Sequence, residues 1–253
     1  ALHHAVLFTR PWQGGYRYSN YGAGLLGFTV AKRANTPWLP LVTSRILAPL
    51  GLEFTGEFGE EVTQGHNRRG KPVDPWHFDV LAPAGALDSD LEDQVAWVQA
   101  WLAPPDTPLG EAMTTALQTR NTWEEGEVAL GWHVQLQDDR RLYWHNGGTG
   151  GFSTFAGFDP EARVGVVLLS SRFQAEELTA AGLDLLASLE PAPAPPEPPE
   201  KKKARPAEVP TPAPAPDPPD GEEASTPENP AEGTSETPDE PASPADDDDD
   251  DKP

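Results

Sequence analysis

Two short stretches carry polar groups in patterns that suit chemistry on a bound molecule. In Tyr18-Ser19-Asn20, extended backbone points the phenol and the carboxamide to one side and the serine to the other. The phenol can then exchange a proton with a ligand that the carboxamide holds. The plainer alternative is that Asn20 caps a helix and Tyr18 packs its ring. The second stretch is His145-Asn146-Gly147-Gly148-Thr149-Gly150-Gly151, between two strand-like runs. Its four glycines let backbone pass close to a bound group and aim amide N–H groups into a cleft. A strand edge with exposed N–H groups is one half of an oxyanion hole. The plainer alternative here is a glycine-rich hairpin connection. A phosphate loop is excluded, because neither G-x-x-x-x-G-K-[ST] nor a following helix is present.

These residues must be positioned by elements that the periodicity outlines. After the Gly14-Gly15 turn, Asn20 is the candidate N-cap of a helix that runs through Leu25, Leu26, Phe28 and Lys32. A second helix spans about Trp38 to Leu50 and ends at Gly51. Residues 52–83 read as a long irregular excursion with one or two short strands. A third helix starts on the capping-box pattern Ser89-Asp90-Leu91-Glu92 and runs to Leu102 before Pro104-Pro105. A fourth spans Leu109 to Gln118. The period then changes. Val128 to Leu136 reads as a strand, Asp138-Asp139 as a hairpin turn into Arg141–His145, and Phe152–Phe158 and Val164–Leu169 as two more. Ala175 to Leu189 is an amphipathic closing helix. The fold class is α+β, an antiparallel sheet flanked by helices plus a helical region.

Composition divides the 253 residues in two. The whole chain has 41 acidic and 18 basic residues and a net charge of −23. Residues 191–253 hold 19 of the 30 prolines and a net charge of −13, and their only apolar side chain larger than alanine is Val209. Such a segment buries too little apolar area to offset its chain entropy, so a disordered tail is expected there and a folded domain over 1–190. So acidic a chain is a poor partner for nucleic acid. With no cysteine, disulfide scaffolds, thiolate zinc sites and cysteine nucleophiles are excluded. No run of 18 apolar residues is present to span a membrane.

Together and in this order, the two stretches resemble the serine β-lactamase/DD-peptidase superfamily, in the branch of class C β-lactamases, D-alanyl-D-alanine carboxypeptidases and related esterases. Tyr18-Ser19-Asn20 is followed by Tyr21-Gly22-Ala23-Gly24-Leu25-Leu26-Gly27, and the glycine stretch by Phe152. Ile46–Leu52, Leu81–Leu87 and Phe158-Asp159-Pro160 agree as well, so the resemblance covers about residues 15–189. It implies a serine hydrolase working through an acyl-enzyme. Tyr18 would be the general base that removes and returns the proton, and Asn20 would orient the substrate. His145-Asn146-Gly147 would be the cleft-lining strand motif, with the Gly148 N–H as oxyanion donor and Gly147, Gly148 and Thr149 binding substrate. The family's remaining motif, Ser-x-x-Lys, does not occur in the 253 residues: Ser19 is followed at that spacing by Gly22, Ser44 by Leu47, Ser89 by Glu92. Thr29-Val30-Ala31-Lys32 lies after the tyrosine, where the family has no nucleophile. The nucleophile segment is therefore expected upstream of residue 1, leaving an N-terminally incomplete domain, inactive alone. The alternative is a catalytically inert relative that binds peptide or cell-wall fragments. An ester, a β-lactam or a D-amino-acid peptide all fit as substrate, with no metal or organic cofactor. The resemblance suggests a secreted or cell-envelope location.

Overall fold

A computed structural model describes residues 15–57, 62–123 and 126–193. The first helix, α1, spans Asn20–Ala34. Its N-cap is Ser19, not Asn20: Ser19 is extended (φ −153°) and its Oγ accepts from the Gly22 N–H at 2.9 Å. A serine at that position reaches the third helical amide, whereas Asn20 is already helical. Glycine inside α1 has a packing reason. A Cβ on Gly24 would stand 2.7 Å from Leu81 Cδ2, and one on Gly27 2.2 Å from Pro83 Cβ. The Asp79–Ala84 3₁₀ helix thus presses directly on the α1 backbone.

The second helix has three parts: α2 (Trp38–Val42), a π turn (Thr43–Leu47) and α3 (Ala48–Leu50), closed by Gly51 at φ +69°. Pro49 has no N–H to donate to Arg45, and the widened turn accommodates that loss. Among its described residues, the excursion that follows holds one hairpin, β1 (Gly65–His66) with β2 (Pro72–Val73). Next come α4 (Leu91–Leu102) and α5 (Pro108–Ala116). Asp90, not Ser89, caps α4, its carboxylate accepting the Asp93 N–H at 2.8 Å. Ser89 Oγ instead lies 2.8 Å from the Thr55 hydroxyl.

Six strands follow as an antiparallel meander in chain order: β3 (Asn121–Trp123), β4 (Gly126–Val128), β5 (His133–Gln137), β6 (Arg140–Thr149), β7 (Phe152–Asp159) and β8 (Val164–Ser170). The strand expected over Val128–Leu136 is therefore two. Gly131, at φ +83°, turns the chain between them. Alternation assigns the two faces of the sheet. Tyr143 and Phe158 pack with Trp132 and Val134 against Val98 and Trp101 of α4. Leu142, Phe155 and Val166 pack against Leu186 of α6 (Ala175–Ser188). Burying both faces accounts for the nearly unbroken apolar run of β8.

The far end of α6 is held by Arg140. Its Nε donates to Asp159 Oδ2 at 2.7 Å, and its guanidinium also donates to the carbonyls of Ala187, Leu189 and Leu186. The chain stays on the domain as far as Pro193, through the Ala192 N–H to the Ala162 carbonyl at 2.8 Å and Arg163 to the Ala192 carbonyl at 2.6 Å. The tail expectation for 194–253 lies outside the described residues.

Candidate active site

Tyr18 stands just ahead of the α1 cap, the residue 53 % exposed. It stacks on His133 (centroids 6.2 Å apart, planes at 22°) and lies at a tilt to His145 at 6.1 Å. The two imidazoles are 5.6 Å apart. Trp144 stacks behind His133 at 4.7 Å, and Tyr16 meets His133 edge-on at 6.0 Å. The two stretches singled out in the sequence therefore meet, joined by a residue that neither contains.

Sheet register explains the meeting. β5 pairs with β6 only through His133↔Trp144, while β7 pairs with β6 all the way to Thr149↔Phe152. Among the described residues, the β6 edge from His145 onward is open on the β5 side, and Tyr18 sits where that opening begins. The glycine-rich stretch is thus mostly strand, not hairpin connection. Only Gly150 and Gly151 turn, with Gly151 at φ +88°. His133 belongs to neither motif. Counting outward from the Asp138-Asp139 turn places it opposite Trp144, which is the signal that finds it.

His145 Nδ1 lies 2.7 Å from the Asn146 carbonyl oxygen. A carbonyl only accepts, so Nδ1 carries the proton and the neutral ring keeps Nε2 as an acceptor. Burial disfavours the imidazolium and lowers the His145 pKa, with the Asn146 bond partly opposing it. Burial, helped by His145, lowers His133 to about 4. Both rings are neutral at neutral pH. Tyr16 is shifted up, by burial and by Tyr18.

Asn146 turns to the α6 face, where its amide donates to Thr179 Oγ1 at 2.8 Å and pins the strand. Gly147 leaves no room for a side chain, and Gly148 is closely packed. A Cβ on Gly147 would stand 2.4 Å from Thr154 Oγ1, and one on Gly148 3.2 Å from Ala175 Cβ. Thr149 opens onto a cavity beyond the end of β6. Asn20 is exposed, and its carboxamide has no hydrogen-bond partner among the described residues. Among them, too, no three His, Asp or Glu side chains converge as a metal site, and no helix is long and apolar enough to cross a membrane.

A family model described as beta-lactamase matches residues 5–189. A beta-lactamase of Providencia stuartii is 27% identical over 200 residues, covering 63% of this chain and 52% of that protein. The chain spans about half the length of the curated relatives it matches. Among solved structures, a class C beta lactamase from Rhodobacter sphaeroides superposes with a TM-score of 0.66 at 21% identity, covering 74% of this chain and 64% of that one. A D-alanine carboxypeptidase from Burkholderia cenocepacia gives 0.65 at 22%, covering 74% and 66%. At such identities these structures speak for the fold, an α+β arrangement like that of class C beta-lactamases.

Proposed function

The chain belongs to the beta-lactamase family, and from that premise we propose that its residues 15–189 form the tyrosine and strand side of a serine hydrolase active site. The observation that carries this reading is the seating of Tyr18 against His145 where the β6 edge opens. Tyr18 is the general base: its phenolate takes the proton of the attacking serine and returns it to the leaving group. A free phenol titrates near ~10, so the base needs support from neighbouring donors or cations. A neutral His145 gives less of that than a lysine would. Its one N–H goes to the Asn146 carbonyl, so the ring packs against Tyr18 and offers the phenolate no donor until Nε2 is protonated. Asn20 orients the substrate, and Gly147, Gly148 and Thr149 carry it along the strand, with the Gly148 N–H facing the developing oxyanion.

The 253 residues contain no Ser-x-x-Lys, so acyl-enzyme chemistry needs a nucleophile from beyond them. The same fact favours a second reading, in which the site binds peptide or cell-wall fragments without hydrolysing them. The two separate on one experiment. In a chain extended upstream so that a Ser-x-x-Lys precedes Tyr18, a serine-directed covalent probe labels that serine under the first reading. Absence of labelling with the motif intact supports the second. Substrates are esters, β-lactams or D-amino-acid peptides. A family placement of this kind also points to a secreted or envelope setting.

A further inference from the structure

A second feature adjoins the strand on which the proposed substrate runs. Beyond Thr149 lies a cavity of about 500 Å³ walled by Arg68, Arg69, Asp74, Trp76 and Phe173. Its walls are fixed to the β6–β7 turn and to each other by backbone. The His66 N–H donates to the Gly151 carbonyl at 3.1 Å, and the Phe173 N–H to the His66 carbonyl at 2.8 Å. Asn67 Oδ1 accepts the amides of both Arg69 (2.9 Å) and Lys71 (3.1 Å), holding the β1–β2 turn that presents the two arginines. Trp76 lies on bare backbone: a Cβ on Gly150 would stand 2.6 Å from its indole, and 58 % of the residue is still exposed.

The cavity's charges are unequal in how far they are committed. Arg68 pairs with Glu177 at 3.0 Å, approaches Glu176 at 3.8 Å, and lies over the Phe173 ring at 5.5 Å. Among the described residues, neither the Arg69 guanidinium nor the Asp74 carboxylate has an ion pair or a hydrogen bond. The site thus offers one uncommitted cation, one uncommitted anion and an aromatic wall. A carboxylate answers the guanidinium fork, an N–H or ammonium answers Asp74, and a large apolar side chain answers Trp76 and Phe173. A simple ester supplies only part of that set.

We propose that this cavity binds an amino-acid unit with a free carboxylate and a large apolar side chain, which makes a peptide preferred over a simple ester at the adjoining site. The proposal rests on the hydrolase reading only for its link to the strand; the binding itself does not need turnover. Titrations of the 253-residue chain, followed by calorimetry, use phenylalanine, N-acetylphenylalanine, phenylalanine amide and alanine. Phenylalanine binds saturably; the amide binds about tenfold more weakly, the size of one lost charge-assisted contact, and alanine about tenfold more weakly because it has no ring to bury against Trp76 and Phe173. Arg69→Ala weakens phenylalanine and its N-acetyl form but not the amide. Asp74→Asn weakens phenylalanine and the amide most, and the N-acetyl form less, since that form offers Asp74 an N–H but no charge. Equal binding of phenylalanine and its amide, equal binding of alanine, indifference to Arg69→Ala, or no saturable binding of any probe overturns the proposal. Tyr18→Phe leaves all four titrations unchanged, so a loss of turnover through Tyr18 sinks or saves the hydrolase reading alone.

Discussion

Tyr18 reaches the sheet because Ser19 spends its hydroxyl on the α1 cap and leaves the residues on either side of it free. In a chain that also carries the nucleophile, Tyr18→Phe is expected to lower kcat/KM by about a hundredfold or more, the usual scale for a proton-transferring group. Steady-state hydrolysis of an ester substrate measures it. His145 carries no charge through the neutral range. Its pKa lies below the ordinary 6.5, so only below that value does Nε2 gain a proton with which to support the phenolate. The kcat/KM profile above pH 6.5 should therefore have the same shape in His145→Gln as in the parent, and an inflection there that His145→Gln removes would contradict the neutral ring. His133 adds a stability effect. Its folded pKa of about 4 lies below the 6.5 of a free imidazole, so between those values the unfolded chain binds the extra proton. Stability is full above about pH 6.5 and is lost as pH falls toward 4. Thermal melts at pH 7 and pH 5 should differ less in His133→Gln than in the parent. The types and order of Tyr18, Asn20 and His145 were legible in the sequence, because each belongs to a contiguous motif. His133 belongs to no motif, and only the register counted from the Asp138-Asp139 turn brings it opposite Trp144.

At the scale of elements, most boundaries were readable because turn residues and period changes mark them. Misreadings fell where two residues compete for one task. Ser19 and Asn20 both suit an N-cap, as do Ser89 and Asp90, and in each pair local φ/ψ decides. The apolar run Val128–Leu136 concealed a turn because Gly131 sits inside it with apolar residues on both sides. Two substitutions probe the elements that hold the site. Ser19→Ala should cost about 1 kcal/mol, the typical worth of a side-chain cap, read by urea denaturation. Arg140→Met should cost more, about 3 kcal/mol, because it strands a carboxylate: Asp159 is 1 % exposed. That variant also frees the last carbonyls of α6, and amide exchange there should quicken more than in α4. An Arg140→Met loss no larger than that of Ser19→Ala would show that Arg140 does not hold the helix end.

For the molecule as a whole, the net charge of −23 is a poor guide to the site, since −13 of it falls in residues 191–253. What the sheet order explains is why so distant a pair as Tyr18 and His145 meets at all: β5 pairs with only the first half of β6, which leaves an open edge among the described residues, and the start of α1 delivers the phenol to it. Fold class was legible because the helical and strand periods occupy separate parts of the chain. The two-sided core was not, because the face a residue joins is set by pairing partners across the sheet. The central claim is that these residues supply the base and the strand for an acyl-enzyme whose serine lies outside them. Intact-mass spectrometry after exposure to a serine-directed probe tests it most directly, on a chain extended to include a Ser-x-x-Lys ahead of Tyr18. The expected result is one covalent adduct on that serine, formed at least tenfold more slowly in Tyr18→Phe, and none on the 253-residue chain. An adduct that forms at the same rate without the Tyr18 hydroxyl, or no adduct at all, would contradict it.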